Sequence, residues 1–352
     1  MHRKKILVDI YLAKNLGDDL FLDHLSHSFP NTDFVPFHPG GDYKVFFDNY
    51  KNIQQFPYSV IDKVAARLGN NKLKDYDRLS KSYDGLLFLG GGIFREESYW
   101  KEVYNYRFTI SKAFKSQGKN VFFSGCNFGP YETKDFVNAH HVLFQEVDHV
   151  QFRDQKSYKL FSSLNNIGYA PDLLWSYDLP TTIKTDNILG ISVIDPRLKP
   201  QYKETYQEYI EAHKELCEKY LQIGFEIKLF SFCEAEGDLE IAEEIAKDFP
   251  GIKILNYTTE ITNYLKEIGS CSHFVAARFH AVIIAFKYGI PVIPVIYGDK
   301  TENLLIDLGL AKPYVYLDAM QAVLEAKFST ISVPQKEQLY SESKKHFDLN
   351  FT

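Results

Sequence analysis

Arg278 and His280 stand one residue apart at the start of an otherwise apolar stretch, AARFHAVIIAFKYGIPVI, which runs from Ala276 to Ile293. Arginine presents a planar, permanently charged fork that suits phosphate and carboxylate groups. Histidine is the side chain best able to give or take a proton near neutral pH. On an extended chain both side chains project to one side while Phe279 points to the core. The pair therefore predicts an anion site beside a proton donor.

Two features strengthen this interpretation. His280 precedes an apolar helix, AVIIAFKYG, whose N-terminus favours an anion. The next predicted strand ends in YGDK, which adds Tyr297 and Lys300 to the same rim. The sequence shows no His, Asp and Glu cluster with metal-ligand spacing, so no metal is predicted. The alternative is that His280 is an ordinary core histidine with a structural role only.

Glycine and polar residues also follow predicted strands in the first half of the chain. In AKNLGDD, Asn15, Gly17 and Asp18 form a tight turn into a helix, with a simple helix cap as the alternative. A ligand contact is predicted there because the free N–H groups of this helix are expected to face the cleft.

Three further loops carry candidates for substrate contact. In FLGGGIFREES, Gly91 and Gly92 allow close approach of the backbone to a ligand, and the motif is neither a dinucleotide fingerprint nor a Walker loop. Glu96 follows them as a carboxylate that either faces the ligand or stabilises a helix start. Asn127 lies in the polar loop SGCNFGPY, and Arg153 ends an apolar strand just before an aspartate.

Short apolar runs alternate with amphipathic segments along almost the whole chain, which is typical of βαβ units with a parallel sheet. The polar segment Asp178–Asn187 has neither helical nor strand periodicity and is predicted to be a linker. The prediction is an α/β protein with two Rossmann-like domains at 1–180 and 187–330, followed by a C-terminal helix at 331–352 that packs back on the first domain. Ligands of such sheets bind beyond the carboxyl ends of the strands, so an interdomain cleft is expected.

Composition narrows the class of protein. The 352 residues are 45% hydrophobic and 24% charged, with a net charge of −6. This balance fits a soluble globular protein and gives no support for nucleic-acid binding. The start, MHRKKILVDIYLA, is predicted to form a first β-strand and not a signal peptide, and no membrane-spanning segment is expected. The four scattered cysteines are typical of free thiols in a reducing cytoplasm.

Four motifs, in order, resemble the polysaccharide pyruvyl transferase family: NLGDD, LGGGIF, RDQKS with YAPDLL, and ARFHAVIIAFKYGIPVIPVIYGDK. The resemblance extends over roughly Lys5 to Leu310. The family's Arg-x-His corresponds to Arg278 and His280, and its Arg before Asp corresponds to Arg153. GGGIFREE departs from versions with a small polar residue sooner after the glycines, which leaves the role of Glu96 open.

The resemblance implies a GT-B-like architecture and the transfer of pyruvate from phosphoenolpyruvate to a sugar as a ketal. It makes His280 the general acid and Arg278 the group that holds phosphate or carboxylate, with donor bound on the second domain and acceptor on the first. The residues expected to bind substrate are Arg153, Lys300, Tyr297, Asn15, Gly17, Asp18, Gly91, Gly92, Glu96 and Asn127.

The same resemblance implies that phosphoenolpyruvate is a co-substrate and that neither a cofactor nor a metal is needed. The acceptor would be a sugar or a lipid-linked oligosaccharide of a capsule or exopolysaccharide. The expected location is cytoplasmic, which allows peripheral association with the inner face of the membrane.

Two other functions stay open. A GT-B glycosyltransferase with a nucleotide-sugar donor shares the Ala-x3-Gly-x-Pro-Val motif that begins at Ala285, but Ile284 stands where the glutamate of that motif belongs. Glu236 and Glu244 have the right spacing for such a glutamate pair but lie in a different predicted helix. The third function is that of a non-catalytic carbohydrate-binding protein on the same fold.

Overall fold

The computed structural model describes residues 3–38, 42–68, 71–310 and 314–351. Its strands are β1 (Lys4–Ile10), β2 (Thr32–Pro36), β3 (Gly85–Leu89), β4 (Asn120–Cys126), β5 (His149–Phe152), β6 (Ile167–Tyr169), β7 (Ile188–Ser192), β8 (Glu226–Ser231), β9 (Lys253–Asn256), β10 (His273–Ala276), β11 (Val292–Ile296) and β12 (Val315–Tyr316).

These strands form two parallel six-stranded sheets, ordered β2-β1-β3-β4-β5-β6 and β12-β11-β10-β7-β8-β9. The strands β3 and β11 have no polar side chain and are buried along their whole length, as expected when helices cover both faces of a parallel sheet. The α/β class and the two Rossmann-like sheets predicted from the sequence are confirmed.

Thirteen α-helices lie in the described ranges. They are α1 (Leu16–Ser28), α2 (Lys44–Phe47), α3 (Val60–Arg67), α4 (Tyr76–Ser82), α5 (Trp100–Ser116), α6 (Lys134–Gln145), α7 (Gln155–Phe161), α8 (Tyr206–Gln222), α9 (Asp238–Ala246), α10 (Ile261–Gly269), α11 (Phe279–Tyr288), α12 (Asp299–Asp307) and α13 (Val333–Ser343). Short 3₁₀ helices cover Lys72–Lys74, Leu173–Ser176, Pro196–Leu198, Pro200–Thr205, Glu234–Glu236, Leu317–Leu324 and Lys344–Phe347.

The chain divides into two compact units. Unit 1 contains Met1–Leu12, Phe21–Leu173 and Glu342–Thr352, and unit 2 contains Ala13–Leu20 and Leu174–Ser341. The segment Ala13–Leu20, which contains the start of α1, follows β1 in the sequence, yet it packs with the residues of the second sheet. The first candidate loop, AKNLGDD, therefore belongs to the same unit as Arg278 and His280.

The cores of the two units differ in composition. The core of unit 1 is built largely from phenylalanine rings, as in the stacked pair Phe88 and Phe123, whose centroids are 4.2 Å apart. The core of unit 2 is mainly aliphatic, with isoleucine, leucine and valine from its strands and helices. Much of the high aromatic content of the sequence is thus used for packing in unit 1.

Two general properties concern the described part of the chain. No helix there combines the length and the apolar character that crossing a bilayer requires. All four cysteines are buried free thiols.

Candidate functional site

The turn before α1 is closed by its own hydrogen bonds and is attached to the second sheet through Leu16. The Asn15 side chain accepts from the Gly17 N–H at 3.0 Å, and its main-chain carbonyl accepts from the Asp19 N–H at 3.0 Å. Leu16 N–H donates to the Phe232 carbonyl just after β8, at 3.1 Å. The start of the helix is therefore held at the carboxyl end of the second sheet, where α/β folds bind ligands.

Asp19 anchors the same turn from inside the protein. Its carboxylate is fully buried and accepts a hydrogen bond from the Tyr257 hydroxyl at 2.8 Å. Asp18, the residue predicted to contact ligand, is only half-buried. The first aspartate of the motif is thus the accessible one, and the second holds the turn.

Gly17 and His280 are in direct contact. A Cβ at residue 17 would lie 1.7 Å from Nδ1 of His280, so only glycine fits without displacing the imidazole. His280 is the second residue of α11 and half-buried, and its ring packs edge-on against Phe279 at 5.1 Å. Two motifs that the sequence analysis treated separately meet at this point.

The chain reaches His280 through a short extended link. Ala277 and Arg278 follow β10, and their N–H groups both donate to the buried Ser192 hydroxyl at the end of β7, at 3.1 and 3.2 Å. Arg278 is the last extended residue, since α11 already begins at Phe279. The extended stretch is shorter than predicted, and the imidazole stands on the first turn of a helix.

Arg278 is held by two carboxylates. Its Nε donates to Asp238 Oδ2 at 2.8 Å, and its Nη2 donates to the other oxygen of Asp238. Its Nη1 donates to Glu236 Oε2 at 2.5 Å. Burial of Arg278 opposes its charge, but the negative charges of Asp238 and Glu236 outweigh this, so the pKa of the guanidinium is raised.

Lys300 and Lys199 lie beside the Tyr297 ring. Their ammonium nitrogens are 5.2 and 5.7 Å from its centroid. Tyr297 is buried, which by itself raises the pKa of the phenol, but the charges of Lys300 and Arg278 overcome this effect and the pKa is lowered. The surroundings of Tyr297 are therefore strongly positive.

Glu236 lies close to all of these cations. Burial raises the pKa of its carboxyl, but the charges of Arg278, Lys300 and Lys199 outweigh that effect and lower it. We call Arg278, Lys300, Lys199, Tyr297 and Glu236 the basic cluster. A cluster of this kind beside an imidazole can bind a small anion and deliver a proton to it.

In unit 1 the corresponding arginine is enclosed. Arg153 donates from Nη1 to Asp172 Oδ2 at 2.9 Å and from Nη2 to Asn127 Oδ1 at 2.8 Å. Its guanidinium packs on Gly91, where a Cβ would lie 2.3 Å from Nη2. Three predicted residues, Arg153, Asn127 and Gly91, are thus brought together, with the guanidinium side chain only 4% exposed.

Gly92 and Glu96 occupy a different place in the same loop. Gly92 is exposed, and an added Cβ would meet nothing closer than 3.8 Å. Glu96 accepts from the N–H groups of Glu132 and Thr133 at 2.6 and 2.8 Å, and from the Thr133 hydroxyl. Desolvation raises the pKa of this carboxyl, but the hydrogen bonds from Thr133 and Glu132 together outweigh that effect, so the pKa is lowered. Glu96 therefore ties the glycine loop to the start of α6.

Several residues at these sites were missed by the sequence analysis. Asp238 and Asp172 are the buried partners of the two arginines, and Lys199 and Ser192 complete the surroundings in unit 2. A signal for Asp238 existed, because FCEAEGD directly follows the strand β8 and the strand-end rule applies there too. Glu236 was noticed only for its spacing to Glu244.

Among the described residues, no group of three or more His, Cys, Asp or Glu side chains is arranged to hold a metal ion.

Comparison with solved structures defines the class of fold as GT-B-like. The Rickettsia bellii UDP-N-acetylglucosamine 2-epimerase matches with a TM-score of 0.58 and 14% identity, over 98% of this chain and 95% of that one. Anabaena HepE, solved with UDP and glucose, matches with a TM-score of 0.54 and 11% identity, over 99% and 96% of the two chains. At such identities the likeness concerns the fold.

The sequence itself defines the family. Residues 15–300 match the model of the polysaccharide pyruvyl transferases, and the chain belongs to that family. The matched region begins at the turn before α1 and ends at Lys300, so it includes every member of the basic cluster as well as His280.

Proposed function

We propose that this protein transfers pyruvate from phosphoenolpyruvate to two hydroxyl groups of a sugar, forming a pyruvate ketal. The observation that carries this proposal is the contact of His280 with Gly17, in the same unit as the basic cluster. Family membership supports a transferase that acts in polysaccharide modification. The donor and the ketal chemistry are the proposed part.

Phosphoenolpyruvate suits such a site because it is a small molecule with a carboxylate and a phosphate. Lys300 and Lys199 supply point charges, and Arg278 Nη1 supplies a directed donor. The first turn of α11 adds backbone N–H groups that favour negative charge. The donor would thus be bound by charge, with its methylene carbon next to the imidazole.

The reaction begins with protonation of the donor. The His280 imidazolium gives its proton to the methylene carbon, which becomes a methyl group and leaves the adjacent carbon electron-deficient. A sugar hydroxyl forms a C–O bond to that carbon, and its proton returns to His280. A second hydroxyl then forms the other C–O bond as the bond to the phosphate oxygen breaks, and its proton leaves with the phosphate.

The acceptor is proposed as a sugar or lipid-linked oligosaccharide of a cell-surface polysaccharide, made in the cytoplasm at or near the inner face of the membrane. The direct test is to incubate the protein with phosphoenolpyruvate and candidate oligosaccharides. We expect phosphate release together with a mass gain on the sugar equal to pyruvate minus water. Activity should survive EDTA, because lysine and arginine side chains neutralise the donor.

A nucleotide-sugar donor is the competing function, because solved structures of the same fold include complexes with UDP and UDP-glucose. Ligand-induced stabilisation separates the two. Phosphoenolpyruvate at about 100 times its Kd should add about 2.7 kcal/mol to the free energy of unfolding. A large rise in melting temperature with UDP-sugars and none with phosphoenolpyruvate would favour the glycosyltransferase.

A further inference from the structure

The carboxylate of Glu236 lies where three cationic side chains converge. Arg278 Nη1 donates to it at 2.5 Å, and it interacts electrostatically with Lys300 and Lys199. A carboxylate bonded to a guanidinium, with two ammonium groups near enough to act on it electrostatically, has the same chemistry as a bound phosphate or carboxylate ligand. The protein's own side chain thus fills an anion site.

Arg278 does not depend on Glu236 for its position. Asp238 has a fully buried side chain and takes two donors from the Arg278 guanidinium. It also accepts from the N–H groups of Phe232 and Cys233, at 3.0 and 3.1 Å. This set of bonds fixes Arg278 in the fold and leaves its Nη1 for a second partner.

Glu236 is held more loosely than Asp238. Its side chain is 32% exposed, and the Asn15 amide donates to it only at a long 3.5 Å. It ends a three-residue 3₁₀ helix, and the next residue, Gly237, has a φ of 80°. Rotation of the Glu236 side chain towards solvent would break its bond to Arg278 and leave the bonds of Asp238 intact.

We propose that Glu236 is a place-holding carboxylate: it occupies the anion site formed by Arg278 Nη1, Lys300 and Lys199, and it leaves that site when the phosphate or carboxylate of a ligand binds. The assignment of this ligand as the donor rests on the proposed function. A place-holder lowers the affinity for every anion by the same competition. It therefore favours release of inorganic phosphate after the reaction and does not change which anions the site prefers.

The test measures anion binding without turnover. Inorganic phosphate and phosphoenolpyruvate are titrated separately, by calorimetry at low ionic strength, into the unmodified protein and into Glu236→Gln. Because glutamine keeps the shape and removes the competing charge, we expect Glu236→Gln to bind both anions about tenfold more tightly. Equal or weaker binding would overturn the proposal and make Glu236 a residue that positions Arg278.

Glu234→Gln is the matched control. Glu234 lies on the same 3₁₀ helix and is exposed, and it accepts from Asn256 Nδ2 at 2.7 Å. This variant removes the same charge from the same element without touching Arg278, so its phosphate affinity should equal that of the unmodified protein. If both variants bind phosphate more tightly by the same factor, the effect is one of net charge and the proposal is wrong.

A second variant keeps the proposal testable if Glu236→Gln does not fold. If Glu236→Gln is unstable, Glu236→Ala removes the carboxylate altogether and should also tighten phosphate binding. No phosphate or phosphoenolpyruvate binding by any of these proteins would overturn the place-holder. Tighter phosphate binding without ketal formation supports the place-holder and counts against the proposed reaction. Ketal formation together with an unchanged phosphate affinity in Glu236→Gln supports the proposed reaction and overturns the place-holder.

Discussion

Arg153 in unit 1 and Arg278 in unit 2 occupy comparable places, each just after a parallel strand, and each pairs with a buried aspartate. They differ in the second partner. Arg153 donates to the neutral amide of Asn127, whereas Arg278 donates to the partly exposed carboxylate of Glu236. The charge of Arg153 is balanced by a carboxylate that is itself fully enclosed in the fold. An arginine with an additional, more exposed carboxylate can exchange that partner for a ligand.

The glycines next to these residues show a parallel difference. Gly91 makes room for the guanidinium of Arg153, and Gly17 makes room for the imidazole of His280. The first contact packs a buried charge, and the second places a half-buried imidazole. We therefore propose that the unit 1 cluster mainly stabilises a loop, whereas the unit 2 cluster takes part in the reaction.

His280→Ala should have the largest effect on turnover, a loss of about 10²–10⁴-fold, because it removes the general acid. The melting temperature should change little, since the apolar face of α11 does not depend on this side chain. Phosphate release and melting temperature are measured on the same preparation, with the exposed His27→Ala as control. Near-normal activity at a normal melting temperature would show that His280 has only a structural role and is not the general acid.

Asp172→Ala and Asp238→Ala test the comparison through stability. Each leaves a buried guanidinium without its main partner, which costs about 3–5 kcal/mol in such pairs. Arg278 keeps its bond to Glu236, and Arg153 keeps its bond to Asn127, so both variants should lie within that range. Urea unfolding measures both. If both variants lose less than about 1 kcal/mol, these pairs behave like surface ion pairs, and the comparison fails.

Gly17→Ala and Gly91→Ala should separate reactivity from packing. A methyl group at residue 17 must displace the half-buried imidazole, so turnover should fall about 10²-fold while stability changes little. A methyl group at residue 91 meets the enclosed guanidinium of Arg153 and should lower the melting temperature. The two roles would be reversed if Gly17→Ala melted early with an unchanged rate per folded molecule.

The smallest expected effect is a loss of stability at acidic pH. Burial lowers the pKa of His140 and His213 to about 4 and that of His346 to about 3. Below pH 6.5 the unfolded chain binds more protons at these three histidines than the folded chain does. Their contribution to the free energy of unfolding is therefore complete above pH 6.5 and is lost as the pH falls towards 4 and 3. Each of these histidines adds up to about 1.4 kcal/mol per pH unit to the slope of the free energy of unfolding against pH.

Two of these three histidines, His140 and His346, lie in unit 1. The partly exposed His273 of unit 2 also has a lowered pKa through burial, with a smaller shift. Unfolding free energies between pH 5 and 7.5 should therefore fall less steeply for His346→Gln than for the unmodified chain. An unchanged slope in that variant would show that His346 is not the source of the acid sensitivity.

Local sequence patterns predicted the alternation of strands and helices, and they placed Arg278, His280 and Arg153 just after strands. They could not pair Arg278 with Asp238, because the two are 40 residues apart and the contact is formed only by the sheet order. Nor could they join Gly17 to His280, since the turn before α1 follows a strand of the other sheet. A strand-end rule finds candidate positions, and the partners of each side chain follow from topology.

We propose that the protein protonates the methylene carbon of phosphoenolpyruvate and builds a ketal from it. The most direct measurement is to run the reaction with the accepted oligosaccharide in D₂O and to analyse the product by NMR and mass spectrometry. We expect a ketal whose methyl group carries one deuterium, with one phosphate released per ketal. A ketal without deuterium, or a product that gains a hexose from a nucleotide-sugar and no pyruvate, would contradict it.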